Sequence, residues 1–121
     1  MIDQPIQCRM ADWSQEKDAL KSIRHQVFVE EQKVPVELEW DEYDDTATHF
    51  IVTLSGQAIA CARLKKDGQI GRMAVLKKYR NQGIGQELLR FVLRTAAAKD
   101  IDEVYLHAQV SAIHFYEKQG F

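Results

Sequence analysis

Residues 79–89 read Tyr79-Arg80-Asn81-Gln82-Gly83-Ile84-Gly85-Gln86-Glu87-Leu88-Leu89, and the reading of this stretch decides the architecture. Beyond Gly83 the apolar residues Leu88, Leu89, Val92 and Ala96 recur at helical spacing, so 83–99 is predicted to be an amphipathic helix. Two glycines where a helix begins carry a propensity penalty. They make sense where the backbone must come close to something. A helix amino terminus presents unpaired N–H groups and a partial positive charge, which suits a phosphate. Lys77, Lys78 and Arg80 add positive charge nearby. A tight, ligand-free turn has the same composition, and the spacing alone leaves both readings open. Two other phosphate devices are excluded. No G-x-x-x-x-G-K-[ST] run is present, and the third glycine position of a dinucleotide G-x-G-x-x-G is filled by Leu88.

Working outward, three apolar, strand-like runs precede this loop at 49–54, 57–65 and 69–76. Ser55-Gly56 and Lys66-Asp67-Gly68 separate them and have the composition of tight turns, which predicts an antiparallel meander. After the helix, 102–108 reads as a strand, with Val104, Leu106 and Ala108 alternating against Tyr105 and His107. Residues 111–119 read as a last helix stopped by Gly120. A strand, a helix and a strand in series form a βαβ unit. At the other end, 4–10 reads as a first strand and Ser14 as a helix N-cap, with Lys17 where a capping box would carry an acid. Leu20, Ile23, Val27 and Phe28 form a helical stripe that should end near Gln32, ahead of Pro35. The segment 36–48 is acidic, with Trp40 and Tyr43 interleaved, and reads as a loop or a short irregular helix. The fold class expected is mixed α/β, a meander followed by one crossover.

The bulk properties narrow the function. With 121 residues the chain suffices for one domain. A net charge of −2 supplies no broad basic field, so a nucleic-acid partner is not expected and an anionic ligand needs a local device. No apolar run is long enough to span a bilayer, and the amino terminus has no secretory pattern. Cys8 and Cys61 lie far apart in no metal-ligand spacing, so free thiols, no metal and a cytoplasmic location are expected.

Two runs carry a specific likeness. Arg72-Met73-Ala74-Val75 followed by 79–89 resembles the central motif of the GNAT superfamily of N-acetyltransferases, [RQ]-x-x-G-x-[GA] between the fourth strand and the next helix. Residues 107–121, His107-Ala108-Gln109-Val110-Ser111-Ala112-Ile113-His114-Phe115-Tyr116-Glu117-Lys118-Gln119-Gly120-Phe121, resemble the next motif, A-x-x-F-Y-x-x-x-G-F after the fifth strand. The run 24–35, with Val27-Phe28-Val29-Glu30-Glu31-Gln32-Lys33-Val34-Pro35, is similar to a group of small, largely uncharacterised bacterial members.

The resemblance implies an acetyl-CoA-dependent N-acetyltransferase in which acetyl-CoA lies between splayed fourth and fifth strands. Met73 and Val75, with Ala74 between them, would bind the pantetheine arm. The N–H groups of Gln82, Gly83, Ile84 and Gly85 would hold the pyrophosphate, with Arg80 beside it and Gln109 on the opposite wall. Tyr116 would be the acid that protonates the departing thiolate. The strand-four glutamate of many members has no counterpart in Ile70-Gly71-Arg72, so the base is left among Glu30, Glu31, Glu37, Glu39, Asp41, His107 and His114, acting directly or through water. The first helix and acidic loop border the acceptor in this family, and Glu30, Trp40 and Asp41 are the residues expected to meet a cationic amine acceptor. The family sheet continues past the helix that holds Tyr116, so the single domain 1–121 is expected to be truncated at its carboxyl end. The edge left open would invite pairing, hence a homodimer. The alternative is a non-catalytic, acyl-CoA-binding regulatory domain of the same fold.

Overall fold

Alternation and turns give the sheet its order. In a computed structural model, which describes residues 6–107 and 113–121, four strands run β1 (Ile6–Ala11), β2 (Thr48–Leu54), β3 (Gln57–Leu64) and β4 (Ile70–Val75). Each neighbour is antiparallel and the spatial order is β1-β2-β3-β4. The helices are α1 (Trp13–Arg24), α2 (Val36–Glu39), α3 (Ile84–Ala98) and α4 (Ile113–Lys118). The mixed α/β architecture is the one expected.

Both faces of the sheet are covered, which is why β2 and β3 read as nearly continuous apolar runs. Phe50, Val52, Ala60, Ala62 and Leu64 pack against Ile84, Leu88, Leu89, Val92 and Ala96 of α3. Ile51, Cys61 and Ala74 pack on the opposite face against Leu20, Ile23 and Val27. Both cysteines are free, and burial pushes the Cys61 thiol up to about 12, so it is inert at neutral pH.

Several local expectations are revised. Asp12, not Ser14, caps α1: its carboxylate accepts from the Ser14 backbone N–H at 3.0 Å, while Glu16 accepts from the Asp12 N–H at 2.8 Å. Asp12 and Ser14 are both good caps, and the carboxylate that reaches back selects the earlier one. The stripe ends at Gln32 as expected, but its last part is a π-helix, His25–Glu31. The acidic segment forms α2 and a 3-10 turn, Glu42–Asp45. The predicted fifth strand is reduced to one parallel bridge, Gln69 to Tyr105. Ile70 donates to the Tyr105 carbonyl at 2.8 Å and Tyr105 to the Gly68 carbonyl at 3.1 Å. This segment crosses hard against the Lys66-Asp67-Gly68 turn, where a Cβ on Gly68 would collide with the Glu103 carbonyl oxygen. Between 101 and 107 that bridge, at Gln69 just ahead of β4, is the only strand pairing among the described residues. Ala108, Gln109 and Ser111 lie outside the described residues, as does the start of the first predicted strand.

His49 on β2 is buried and stacks on Trp13 with ring centroids 4.4 Å apart, and its Nε2 lies 2.8 Å from the Asp44 carbonyl. Burial holds its imidazole below the ordinary value. The unfolded chain therefore binds this proton more readily than the folded one. The associated stability is complete above the ordinary histidine pKa of about 6.5 and is lost as pH falls through and below it. Urea unfolding across that range should show His49→Gln with a shallower acid-side decline than the wild type.

Candidate active site

The carboxyl end of β4 leads into a 3-10 turn, Lys77–Tyr79, and then into the loop that starts α3. Asn81 at φ 61° and Gly83 at φ 83° take left-handed conformations, which turn the chain sharply into the helix. Gly83 is the N-cap of α3, and no side chain caps this end. Gly85 follows one residue into the helix. A Cβ placed there would come no closer than 3.4 Å to the Phe115 ring and 3.9 Å to Val75, which is ordinary contact. The fold itself therefore has no need of glycine at 85, although an alanine there would favour the helix. The arrangement suits a ligand group drawn up against bare backbone at an uncapped helix start.

That helix start opens into a cleft of about 540 Å³. Met73, Ala74 and Val75 of β4 form one wall, Arg80, Gly83, Ile84 and Gly85 the floor, and Phe115 and Tyr116 of α4 the other wall. Seven of the residues expected at the cofactor thus come together. Gln82 does not line the cleft, and Gln109 lies outside the described residues. Arg80 lines it with three of its five N–H donors already committed. Its Nε donates to the Val75 carbonyl at 2.8 Å, and its two terminal nitrogens to Glu31 at 2.6 and 2.7 Å. This pair ties the end of the π-helix to the end of β4, and Arg80 holds the Glu31 carboxyl below its ordinary value.

Tyr116 is half-buried, and burial alone pushes its phenol upward. Its hydroxyl donates to the Met73 sulfur at 3.6 Å. Phe115 and Phe121 meet its ring edge-on, at centroid distances of 5.1 and 6.2 Å. A second cavity of about 270 Å³ lies on the far side of Met73 and Tyr116, lined also by Phe28, Leu38, Glu39, Arg72 and His107. Gln32, Met73 and Tyr116 belong to both cavities. Two spaces therefore abut across one phenol and one thioether.

The acidic segment does not face this second cavity as a row of free carboxylates. It closes a ring of six alternating charges with three arginines. Arg24 binds Glu39 at 2.7 Å and Asp44 at 2.9 Å. Arg63 binds Asp44 at 3.0 Å and Asp41 at 2.7 Å. Arg72 binds Asp41 at 3.1 Å and Glu39 at 3.3 Å. Burial pushes the Glu39 carboxyl up, and the Arg24 hydrogen bond only partly offsets that. Burial acts the same way on Asp41, but the hydrogen bond from Arg63 and the charges of Arg63 and Arg72 hold it below its ordinary value. Arg72 sits where β4 carries an extra residue: Cys61 faces Ala74 while Arg63 faces Gly71. Its φ of 47° is the left-handed conformation that a non-glycine residue adopts at a cost.

The three residues expected at the acceptor are not brought together. The Asp41 carboxylate is spent on Arg63 and Arg72. The Trp40 ring lies against Arg24 at 4.9 Å and Lys21 at 5.3 Å. Glu30 pairs with His25 at 3.2 Å and lines a separate depression beside Lys77 and Lys78. Of the candidate bases, Glu39 and His107 border the second cavity, Glu31 is held by Arg80, and the side chain of His114 lies outside the described residues. Arg24, Arg63 and Arg72 were not singled out from sequence for this ring. Arg63 follows an alanine and Arg72 a glycine inside stretches that are otherwise apolar, and an arginine so placed is a sign of a buried partner; Arg24, among Lys21, Ser22, His25 and Gln26, carries no such sign.

Comparison with known proteins agrees with this geometry. The sequence profile of the acetyltransferase (GNAT) family matches residues 10–121. An uncharacterized N-acetyltransferase of Bacillus subtilis, YjcF, is 36% identical over 108 residues, covering 87% of this chain and 76% of the relative. The crystal structure of an acyl-CoA N-acyltransferase from Pseudomonas aeruginosa superposes with a TM-score of 0.85 at 32% identity, over 97% of this chain and 88% of that one. Escherichia coli ElaA superposes with a TM-score of 0.86 at 29% identity, over 96% and 86%. No helix among the described residues is long and apolar enough to cross a membrane. A family profile spanning nearly the whole sequence, together with a cleft built by that family's two motifs, places the chain in the acetyltransferase (GNAT) family.

Proposed function

We propose that this protein transfers an acetyl group from acetyl-CoA to a primary amine by direct attack within a ternary complex. The observation that carries the reading is the pair of cavities that meet at Met73 and Tyr116. One is bounded by the uncapped start of α3 and suits a phosphorylated carrier. The other is smaller, at about 270 Å³, and suits an acceptor.

Under this reading the backbone N–H groups at Gly83, Ile84 and Gly85 bind the pyrophosphate, and Met73 to Val75 align the pantetheine arm. Arg80 acts by holding the Val75 carbonyl and Glu31 rather than by offering a free fork. The amine nitrogen forms a bond to the thioester carbonyl carbon as the carbon–sulfur bond breaks. The surplus ammonium proton passes to a base or to water, and the thiolate takes a proton from the Tyr116 hydroxyl. A raised phenol pKa keeps Tyr116 protonated at neutral pH, ready to donate.

Thiol release from acetyl-CoA, followed across a panel of amines, tests the reading. Amine-dependent release supports it. Tight acetyl-CoA binding with no release from any amine would point to an acyl-CoA-binding regulatory domain instead. Gly85→Ala separates ligand binding from folding. It should leave thermal stability unchanged or slightly raised, because the Cβ meets only ordinary contacts. Acetyl-CoA binding measured by calorimetry should weaken on the order of tenfold, or about 1.4 kcal/mol.

A further inference from the structure

The second cavity contains two charged side chains whose positions are unlike. Glu39 is 4% exposed, with its carboxylate between Arg24 and Arg72. Arg72 is 25% exposed, against 1% for Arg24 and 4% for Arg63. Among the three arginines of the ring, Arg72 alone lines the cavity. The wall therefore shows an incoming molecule a partly exposed guanidinium beside a more deeply buried Glu39 carboxylate that pairs with both Arg24 and Arg72. Electrostatics point the same way. Burial, and then the charge of Arg63, holds the Arg72 guanidinium below its ordinary proton affinity despite Glu39 and Asp41. Arg24, with the same number of carboxylate partners, is shifted upward.

The backbone adds an independent observation. Arg72 occupies the extra residue of β4 in a left-handed conformation, and the next residue, Met73, lies at the junction of the two cavities. Strain of this kind persists where the surroundings enforce it, and it is concentrated at functional sites. Here the enforcing contacts are the Arg72 bonds to the Glu39 carbonyl at 3.2 Å and to the Asp41 carboxylate. The acidic loop thus serves to hold a cation at the cavity wall, one residue from the reaction centre.

We infer that the acceptor is a small amine that also carries an anionic group, a carboxylate or a phosphate, which Arg72 binds while the amine lies toward Met73 and Tyr116. A guanidinium fork suits either oxyanion. The cavity volume of about 270 Å³ suits a molecule of amino-acid size. This class carries a charge opposite to that of the purely cationic amine acceptor expected from the acidic sequence. The inference rests on the acetyl-transfer reading.

The test uses wild-type protein and matched acceptors. Acetyl-CoA turnover is measured with the common α-amino acids, a series of ω-amino acids, and O-phosphoethanolamine. Each is paired with its neutral counterpart: the amino acid amides, and ethanolamine. Spermidine and putrescine form the cationic arm. The expected result is a kcat/KM at least about tenfold higher for anionic members than for their neutral partners, with the carboxylate and phosphate arms showing which oxyanion is preferred. Arg72→Gln should abolish the difference by raising KM for the anionic amine, and Arg72→Lys should retain part of it. Equal or better turnover of the neutral or cationic amines would overturn the inference while leaving acetyl transfer standing, and so would turnover of no anionic amine. Failure to bind acetyl-CoA at all would remove the underlying reading and the inference with it. Because the comparison of charge classes is made on unaltered protein, it does not depend on whether an Arg72 variant folds.

Discussion

Tyr116→Phe should lower kcat for acetyl transfer by about 10²–10⁴-fold, the range in which a positioned proton donor contributes. The dissociation constant for acetyl-CoA should stay within about a factor of two to three, since the substitution removes one oxygen and retains the ring. Phe115 and Phe121 pack on that ring, and phenylalanine keeps both contacts. If Tyr116 were only a packing residue, the variant would keep nearly full turnover. The pH dependence adds a second check. Burial raises the phenol pKa, so the donor form is the protonated one and is present throughout the neutral range. Loss of kcat through this group should begin only above the ordinary tyrosine value of about 10. An activity limb assignable to Tyr116 near neutrality would contradict its role as acid. Steady-state rates over pH, with pre-steady-state measurement of the transfer step, separate these outcomes.

Arg24→Met should cost about 3–5 kcal/mol of folding stability, on the order of 10–20 °C in Tm. Arg24 is 1% exposed and binds Glu39 and Asp44, which are 4% and 6% exposed. Removing it leaves two buried carboxylates with one arginine each, and the destabilisation arises from that orphaned charge. The ring as a whole need not be strongly stabilising, since desolvating six ions offsets much of their attraction. A double-mutant cycle with Asp44→Asn distinguishes the two contributions. Strong positive coupling, with the double variant more stable than the sum of the singles predicts, is the expected sign. Chemical denaturation of the four proteins provides the measurement.

Much of the scaffold was legible because it rests on periodicity. Leu88, Leu89, Val92 and Ala96 marked α3, and the turns at Ser55-Gly56 and Lys66-Asp67-Gly68 marked the meander. The cleft was legible through Gly83 and Gly85 in one local run and Tyr116 in another, and the fold brings the two runs together. What failed to show depends on distance in the chain. The acidic segment 36–48 reads as a solvated surface run, because its partners Arg24, Arg63 and Arg72 come from α1, β3 and β4. The pairing of Arg80 with Glu31 did not show either, because nothing near Arg80 in sequence announces that partner. The segment 102–107 alternates like a strand, but its one bridge joins Tyr105 to Gln69, just ahead of β4. Alternation reports which face is buried, not how far two strands stay in register.

The charge ring also constrains how the protein can diverge. Each of its members touches two others, so a change at one position alters the fitness of the residues at two more. Single-step exchange of any one is penalised at once, whereas concerted replacement of a neighbouring pair is far less so. Among descendants of this sequence, positions 24, 39, 41, 44, 63 and 72 should therefore be inherited as a block or lost as one. Arg72 would then persist partly because its neighbours require it, and its use at the cavity wall would be protected in part by Arg24, Asp41, Asp44 and Arg63, which do not line that cavity.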